Sequence, residues 1–201
     1  MNQSNLSCRY EIVAGVDEAG RGSLAGPVVA SAVILNSNEL INGLSDSKKL
    51  SKKRRDELEI QIKKKSIAWS LGWVSSKVID EINILQATML AMRQAISDLN
   101  TKPDKILVDG NCLPDLNFDG ELIPGEAIIG GDDKILSISA ASILAKTARD
   151  KMMKEIDEKF PIYEFAKHKG YGTKKHFSKL YKYGSCCEHR QSFAPMRDLN
   201  K

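Results

Sequence analysis

The 201-residue sequence predicts one α/β domain: a mixed five-stranded sheet flanked by helices over residues 10–160, then a basic helical C-terminal segment over residues 161–201. Three observations carry that expectation. Short apolar segments come first and are joined by turn-rich links, which favours antiparallel neighbours. Strands then alternate with helical stretches, which makes the sheet mixed. Beyond Pro161 the chain becomes basic and punctuated by glycine.

The elements follow in order. Residues 11–16 are rich in β-branched side chains and break at Gly20, Gly22 and Gly26. Residues 27–35 read as a second, mostly buried strand. Residues 51–65 are polar, with Leu58 and Ile62 at helical spacing, and residues 66–74 form a third strand. The clearest helix is 77–99, where Ile82, Leu85, Met89, Met92, Ile96 and Leu99 follow one another at steps of three and four. That stripe should pack on the sheet, its methionines filling the core. A fourth strand, 105–108, ends at Asp109-Gly110-Asn111, and a short fifth covers 127–129. Residues 133–159 read as a long helix stopped by Pro161, with Ser139, Ala140, Ala141, Ser142 and Ala145 small enough for close approach to the sheet. Residues 173–183 form the last helix.

Composition excludes several classes. With 42% hydrophobic and 28% charged residues the chain is no disordered tail. Its longest apolar run, residues 27–35, is about half the ~20 residues a membrane-spanning helix needs, so no membrane partner is expected. Residues 1–13 carry no basic-then-apolar secretory pattern, which makes a cytoplasmic location the expectation. The four cysteines, Cys8, Cys112, Cys186 and Cys187, form no CxxC pair, and free thiols are expected. The net charge of +4 is unevenly spread: nine Lys/Arg stand against three acids in residues 48–65, and seven against Glu188 alone in residues 167–190. Either segment could be a solvated face; together they could flank one groove for a polyanion.

Three apolar strands lead into acids: Asp17-Glu18, Asp109 and Asp132-Asp133. A single strand-end acid is commonly a turn former or helix cap, and Asp133 could cap the helix that follows it. Gathered at one edge without basic partners, the set would repel itself and acquire raised pKa values, unless a divalent cation joined it. Carboxylates and water suit Mg²⁺ or Mn²⁺. Because consecutive strand residues face opposite ways, Asp17 and Glu18 share one metal only if the strand bends there.

The loop Gly15-Val16-Asp17-Glu18-Ala19-Gly20-Arg21-Gly22-Ser23 is not a Walker loop, since Arg21 and Gly22 occupy the Lys and Ser/Thr positions. Glycines flanking Arg21 instead let the backbone approach a ligand, with a planar donor fork for phosphate. A backbone that close to a sugar could bond the 2′-hydroxyl that distinguishes RNA from DNA.

These residues resemble the bacterial ribonuclease HII family. The matching stretches are GVDEAGRGSLAGPV at residues 15–28, DSKKLS at 46–51, VDGN at 108–111, Gly131-Asp132 with SAASILAK at 139–146, HKGYGTKKH at 168–176 and HRQSFAP at 189–195. They occur in the family's order along nearly the whole chain. The resemblance implies a ribonuclease H-like fold and a four-carboxylate catalytic site of Asp17, Glu18, Asp109 and Asp132, holding Mg²⁺ or Mn²⁺ as a two-metal centre. It assigns ribonucleotide recognition to Gly20, Arg21 and Gly22, a phosphate contact to Lys48, and stacking on the neighbouring deoxyribose to Tyr171. The related ribonuclease HIII type lacks this Gly-Arg-Gly loop and carries an extra N-terminal domain.

The implied activity is metal-dependent endonucleolytic cleavage 5′ of a ribonucleotide in RNA–DNA hybrids and at single ribonucleotides in duplex DNA, leaving 3′-hydroxyl and 5′-phosphate ends. Its place would be ribonucleotide removal in DNA replication and repair. A monomer is expected, and nothing in the sequence supports a sliding-clamp contact. A noncatalytic nucleic-acid module would explain the charge but not the acids, and a less selective hybrid nuclease would need a run of ribonucleotides. His168, His176 and His189 all lie in the basic tail, where surface placement or phosphate contact is the expectation.

Overall fold

The computed structural model describes residues 11–199. Residues 1–10, which include Cys8 and most of the stretch where no secretory signal is expected, lie outside the described residues. Strands β1 (Val13–Ala19), β2 (Val28–Ile34), β3 (Ala68–Val74) and β4 (Lys105–Asp109) join a fifth, the edge strand β7 (Gly125–Ile128), in one sheet of order β3-β2-β1-β4-β7. The pairs β1–β2 and β2–β3 are antiparallel, whereas β1–β4 and β4–β7 are parallel, so the sheet is mixed as expected. A small hairpin of β5 (Asn117–Phe118) and β6 (Glu121–Leu122), which the sequence pattern does not announce, precedes β7.

Helices α1 (Lys52–Lys65), α2 (Ser76–Ser97), α3 (Gly131–Lys134) and α4 (Leu136–Lys159) cover the sheet, with α2 on one face and α1 and α4 on the other. Alternation along the strands sorts the side chains. Ala14 and Val16 of β1, and Ile106 and Val108 of β4, join the α2 core with Ala87, Ala91 and Ile96. Gly15 faces α4, where an added Cβ would lie 2.2 Å from the carbonyl carbon of Ser137 and 2.3 Å from the Ile138 nitrogen. The main chains of β1 and α4 therefore touch, which the small residues Ser139, Ala140, Ala141 and Ser142, all buried, permit.

Two helices differ from expectation. Asn83 takes a left-handed φ of 65° inside α2, and its side chain accepts hydrogen bonds from the Leu85 and Gln86 amides, restarting the helix after a kink. The kink and the buried alanines Ala87, Ala91 and Ala95 rotate the expected stripe, so Leu85 is 38% exposed while Met92 and Ile96 stay buried. The helix expected over 133–159 is divided at Ile135, whose extended backbone separates α3 from α4. Asp133 does not cap α4; it pairs with Lys49.

After Pro161 a 3-10 turn, Pro161–Tyr163, leads to α5 (Phe165–His168), α6 (Lys174–Tyr183) and α7 (Met196–Leu199). Thr173 caps α6 by accepting from the His176 amide. Among the described residues no helix is long and apolar enough to cross a membrane.

Replacing Gly15 by alanine forces a methyl into the α4 backbone, which cannot rotate aside. Urea denaturation should show a loss of about 3 kcal/mol or more.

Candidate active site

Register brings the first two acids together. Val16 of β1 is paired in parallel with Val108 of β4, so Asp17, inside a β1 that continues past it to Ala19, and Asp109, the last residue of β4, lie side by side and face the α4 side. Asp132 reaches the same point from α3. Asp17, Asp109 and Asp132 each offer an oxygen within a group no more than 4.8 Å across. Asp17 and Asp132 are only 5% and 6% exposed. Asp109 Oδ1 accepts from the Gly131 amide at 2.7 Å, which ties β4 to α3. The exposed Asp133 points to Lys49, so the doublet divides into one inward and one outward carboxylate. Glu18 stands outside the trio, as strand alternation requires, with Arg21 Nη1 3.9 Å from its carboxylate.

The electrostatics are those of a site built for a cation. Burial, and then repulsion from Glu18, raises the Asp17 pKa well above the usual carboxylate range; Asp109 adds to the rise and the Ser142 hydroxyl offsets part of it. Burial, Asp109 and Asp46 raise that of Asp132, against Lys48. Burial raises Glu18, with Arg21 opposing. Hard oxygen donors, converging and destabilised as anions, fit Mg²⁺ or Mn²⁺.

The trio opens into a cleft of about 580 Å³ lined by Asp17, Glu18, Gly20, Arg21, Gly22, Lys48, Asp109 and Tyr171, together with Ser47, Arg55, Ser142 and Lys146. Lys48 Nζ lies 3.5 Å from Asp132. Burial works against the Lys48 charge, but Asp46, Asp132 and Asp17 outweigh it and raise its pKa. The Lys48 loop is held from behind: Asp46 accepts from the Lys48 amide, and Arg55 donates to the carbonyls of Ser47 and Leu50. Gly22 has open space where a Cβ would be, so nothing in the chain's own packing requires glycine there.

Two residues that sequence reasoning missed shape the glycine loop. Arg149 and Arg190 are fully buried. Arg149 donates to the carbonyls of Ala25, Pro27 and Lys169 at 2.8–3.1 Å. Arg190 donates to those of Gly20, Arg21 and Gly26 at 2.7–3.1 Å. Gly20, at φ +94°, is required: a Cβ would lie 1.9 Å from Arg149 Nε. Spacing could have revealed Arg149, since Ser142, Ala145 and Arg149 continue one inward stripe of α4.

The histidines correct an expectation. All three are buried rather than at the surface. His168 and His176 stack with centroids 4.3 Å apart, and His176 Nε2 lies 3.0 Å from His189 Nε2. Their surroundings are the aromatic rings of Tyr163 and Phe165. The short aromatic and histidine spacings in this segment pack it as a small core of its own.

Residues 14–196 match the family model described as Ribonuclease HII. The chain belongs to the ribonuclease HII family. It is 55% identical over 186 residues to the Ribonuclease HII of Acinetobacter baylyi, which spans 92% of this chain and 96% of that protein. The ribonuclease H2 of Pyrococcus horikoshii OT3 superposes with a TM-score of 0.75 at 27% identity, over 93% of this chain and 96% of its own. The Archaeoglobus fulgidus RNase HII, solved in a complex with PCNA, gives 0.75 at 28% identity, over 90% and 95%. As a ribonuclease HII the chain is a hydrolase and an endonuclease of the ribonuclease H class, whose activity depends on metal.

Two outcomes follow for this ribonuclease HII. Asp17→Asn relieves buried repulsion while keeping the carbonyl that accepts from the Glu18 amide. In EDTA it should raise the melting temperature by ~2–4 °C, equivalent to about 1 kcal/mol, while losing the stabilisation that Mn²⁺ gives the parent. Burial lowers the pKa values of His176 and His189 to about 4. Unfolding therefore takes up protons below the ordinary histidine pKa of about 6.5. Their stabilising contribution is complete above that value and is lost as pH falls towards 4, at up to about 1.4 kcal/mol per pH unit for each ring. Urea titrations from pH 7 to 4 should show the slope, and His189→Gln should remove about half of it.

Proposed function

We propose that this chain hydrolyses the phosphodiester on the 5′ side of a ribonucleotide, in RNA–DNA hybrids and at single ribonucleotides within duplex DNA, leaving 3′-hydroxyl and 5′-phosphate ends. The observation that supports this reading best is the shared cleft: Asp17 and Asp109, with Asp132 grouped beside them, line the same space as Gly20-Arg21-Gly22 and Tyr171.

Asp17, Asp109 and Asp132 would hold Mg²⁺ or Mn²⁺, and Glu18, which lines the same cleft outside the trio, would serve a second ion. Such cations supply Lewis acidity and a more acidic bound water. The chain's own groups do the rest. Gly22, with no packing reason to lack a side chain, lets the backbone reach the ribose 2′-hydroxyl. Arg21, exposed beside Glu18, offers its fork to a phosphate. Lys48 brings a cation to the scissile phosphate next to Asp132. Tyr171, its ring 5.6 Å from Arg149 and 5.7 Å from Lys146, presents a face to a sugar that lacks the 2′-hydroxyl.

Residues 161–201 act as the substrate-holding segment of a single domain whose catalytic part spans residues 10–160. Here Lys167, Lys175 and Lys179 share one acid, Glu164, which leaves excess positive charge for backbone phosphates. Along α1, Lys52, Arg54 and Lys63 each meet a carboxylate, but the remaining basic side chains of that helix outnumber its acids and leave a second positive face. We place the activity in ribonucleotide removal during DNA replication and repair, in the cytoplasm, by a monomer.

The test is a labelled DNA duplex carrying one ribonucleotide, incubated with Mg²⁺ or with EDTA. One metal-dependent cut immediately 5′ of the ribonucleotide is expected. Degradation of a long hybrid without that cut would sink the single-ribonucleotide specificity. Asp109→Asn should lower the rate roughly 10³-fold yet bind the duplex within a few-fold of the parent. Cleavage by that variant at the parental rate would remove Asp109 from the catalytic set.

A further inference from the structure

The buried histidines are joined into a directed chain of hydrogen bonds that ends at Tyr171. Its direction is set at one end. The Cys186 amide donates to His189 Nδ1 at 2.9 Å, and an amide N–H can only donate. His189 Nδ1 is therefore unprotonated, and the neutral ring carries its hydrogen on Nε2. That hydrogen points at His176 Nε2, 3.0 Å away, which must accept. His176 then carries its own hydrogen on Nδ1, where the Tyr171 carbonyl oxygen lies at 3.0 Å. Every donor meets an acceptor in this one arrangement of tautomers and in no other. The chain is also sealed: His176 and His189 are 0% and 1% exposed, and the Cys186 sulfur lies 3.2 Å from the same His189 nitrogen.

The far end of the chain matters because of where Tyr171 sits. Its ring lines the catalytic cleft, while its carbonyl faces the histidines and also accepts from the Thr173 amide at 2.8 Å. Its amide donates to the His168 carbonyl at 2.9 Å. The peptide units on both sides of Tyr171 are thus tied to the histidine layer, and the ring projects from that fixed backbone into the cleft.

We propose that His176 and His189 are positioning residues, a two-imidazole relay that sets the Tyr171 backbone and thereby the ring's fit to the sugar at a ribonucleotide–deoxyribonucleotide junction. The inference rests on the reading of Tyr171 given above. It makes no claim on the chemistry of bond cleavage, since neither imidazole lines the cleft. Its consequence is selective: a substrate recognised through the junction sugar depends on the relay, and a continuous RNA strand over DNA depends on it less.

Substitution at His176 separates this role from simple core filling. Asn places an N–H where Nδ1 donates, and Leu fills the space without a donor. His176→Leu should lower kcat/KM on a duplex with one ribonucleotide about tenfold, with a long RNA–DNA hybrid changed less than threefold. His176→Asn should recover most of the loss. Tyr171→Ala should reproduce the junction-selective defect. Equal losses on both substrates for His176→Leu, with Tyr171→Ala still selective, would overturn the relay and leave the Tyr171 reading standing. No selective loss in Tyr171→Ala would overturn the reading and the relay with it. Nitrogen-15 correlation spectra of the unaltered protein give a second, independent check that no folding defect can obscure. His176 protonated on Nδ1 and His189 on Nε2 is the expected pair; His176 protonated on Nε2 would overturn the proposal.

Discussion

Two buried guanidinium groups organise the glycine loop beside the aspartates. Arg149, from the middle of α4, and Arg190, from the C-terminal segment, meet no carboxylate there; they spend their donors on six backbone carbonyls, of Gly20, Arg21, Ala25, Gly26, Pro27 and Lys169. A buried carbonyl without a donor is costly, and a buried cation without acceptors is costlier. Each need answers the other. Burial pulls both arginine pKa values down, that of Arg190 to about 9, which still leaves it charged at neutral pH. The segment between β1 and β2 has no ladder of its own to satisfy these carbonyls, so its shape depends on side chains delivered from residues more than a hundred positions away.

The same arrangement explains why the aspartates can stand together. Repulsion among Asp17, Asp109 and Asp132 opposes folding, and it is overcome by contacts elsewhere: the strand pairing that fixes β1 beside β4, the backbone contact of α4 with β1, and the packing of α4 and α1 on β2 and β3. Preorganisation of this kind stores unfavourable energy where a cation can later release it. Ser142 belongs to both tasks. It sits on the sheet-facing stripe of α4, softens the Asp17 environment, and shares a 2.9 Å hydrogen bond with Ser47 in the loop that carries Lys48. The cleft walls are thus cross-linked by hydroxyls as well as by ion pairs.

Much of this was legible in the sequence, for local reasons. Strands carrying acids, read with period-two alternation, already gave Asp17 and Glu18 different directions, and Glu18 lines the same cleft outside the aspartate trio. The small residues at 139–142 announced a close helix–sheet contact, which Gly15 and Ser137 realise. What escaped was whatever depended on distant partners. Leu85 fitted a helical stripe until Asn83 broke the helix and turned that side chain outward. The histidines lie in a basic stretch and looked superficial; only the aromatic cluster of Tyr163 and Phe165, gathered from a separate turn, makes them interior. Arg190 counts with the basic tail in the sequence, and Arg149 is marked only by its place on the inward stripe of α4; acceptors that are main-chain oxygens leave no mark of their own in the sequence.

The contact at Gly15 has a wider consequence. Where main chain meets main chain, no side chain sets the spacing between strand and helix. The approach of β1 to α4, and with it the level at which Asp17 meets Ser142, is then set by backbone contact. Aliphatic side chains elsewhere in the interior do not enter that contact. The spacing beside the aspartates is in this sense insulated from the composition of the core that supports it.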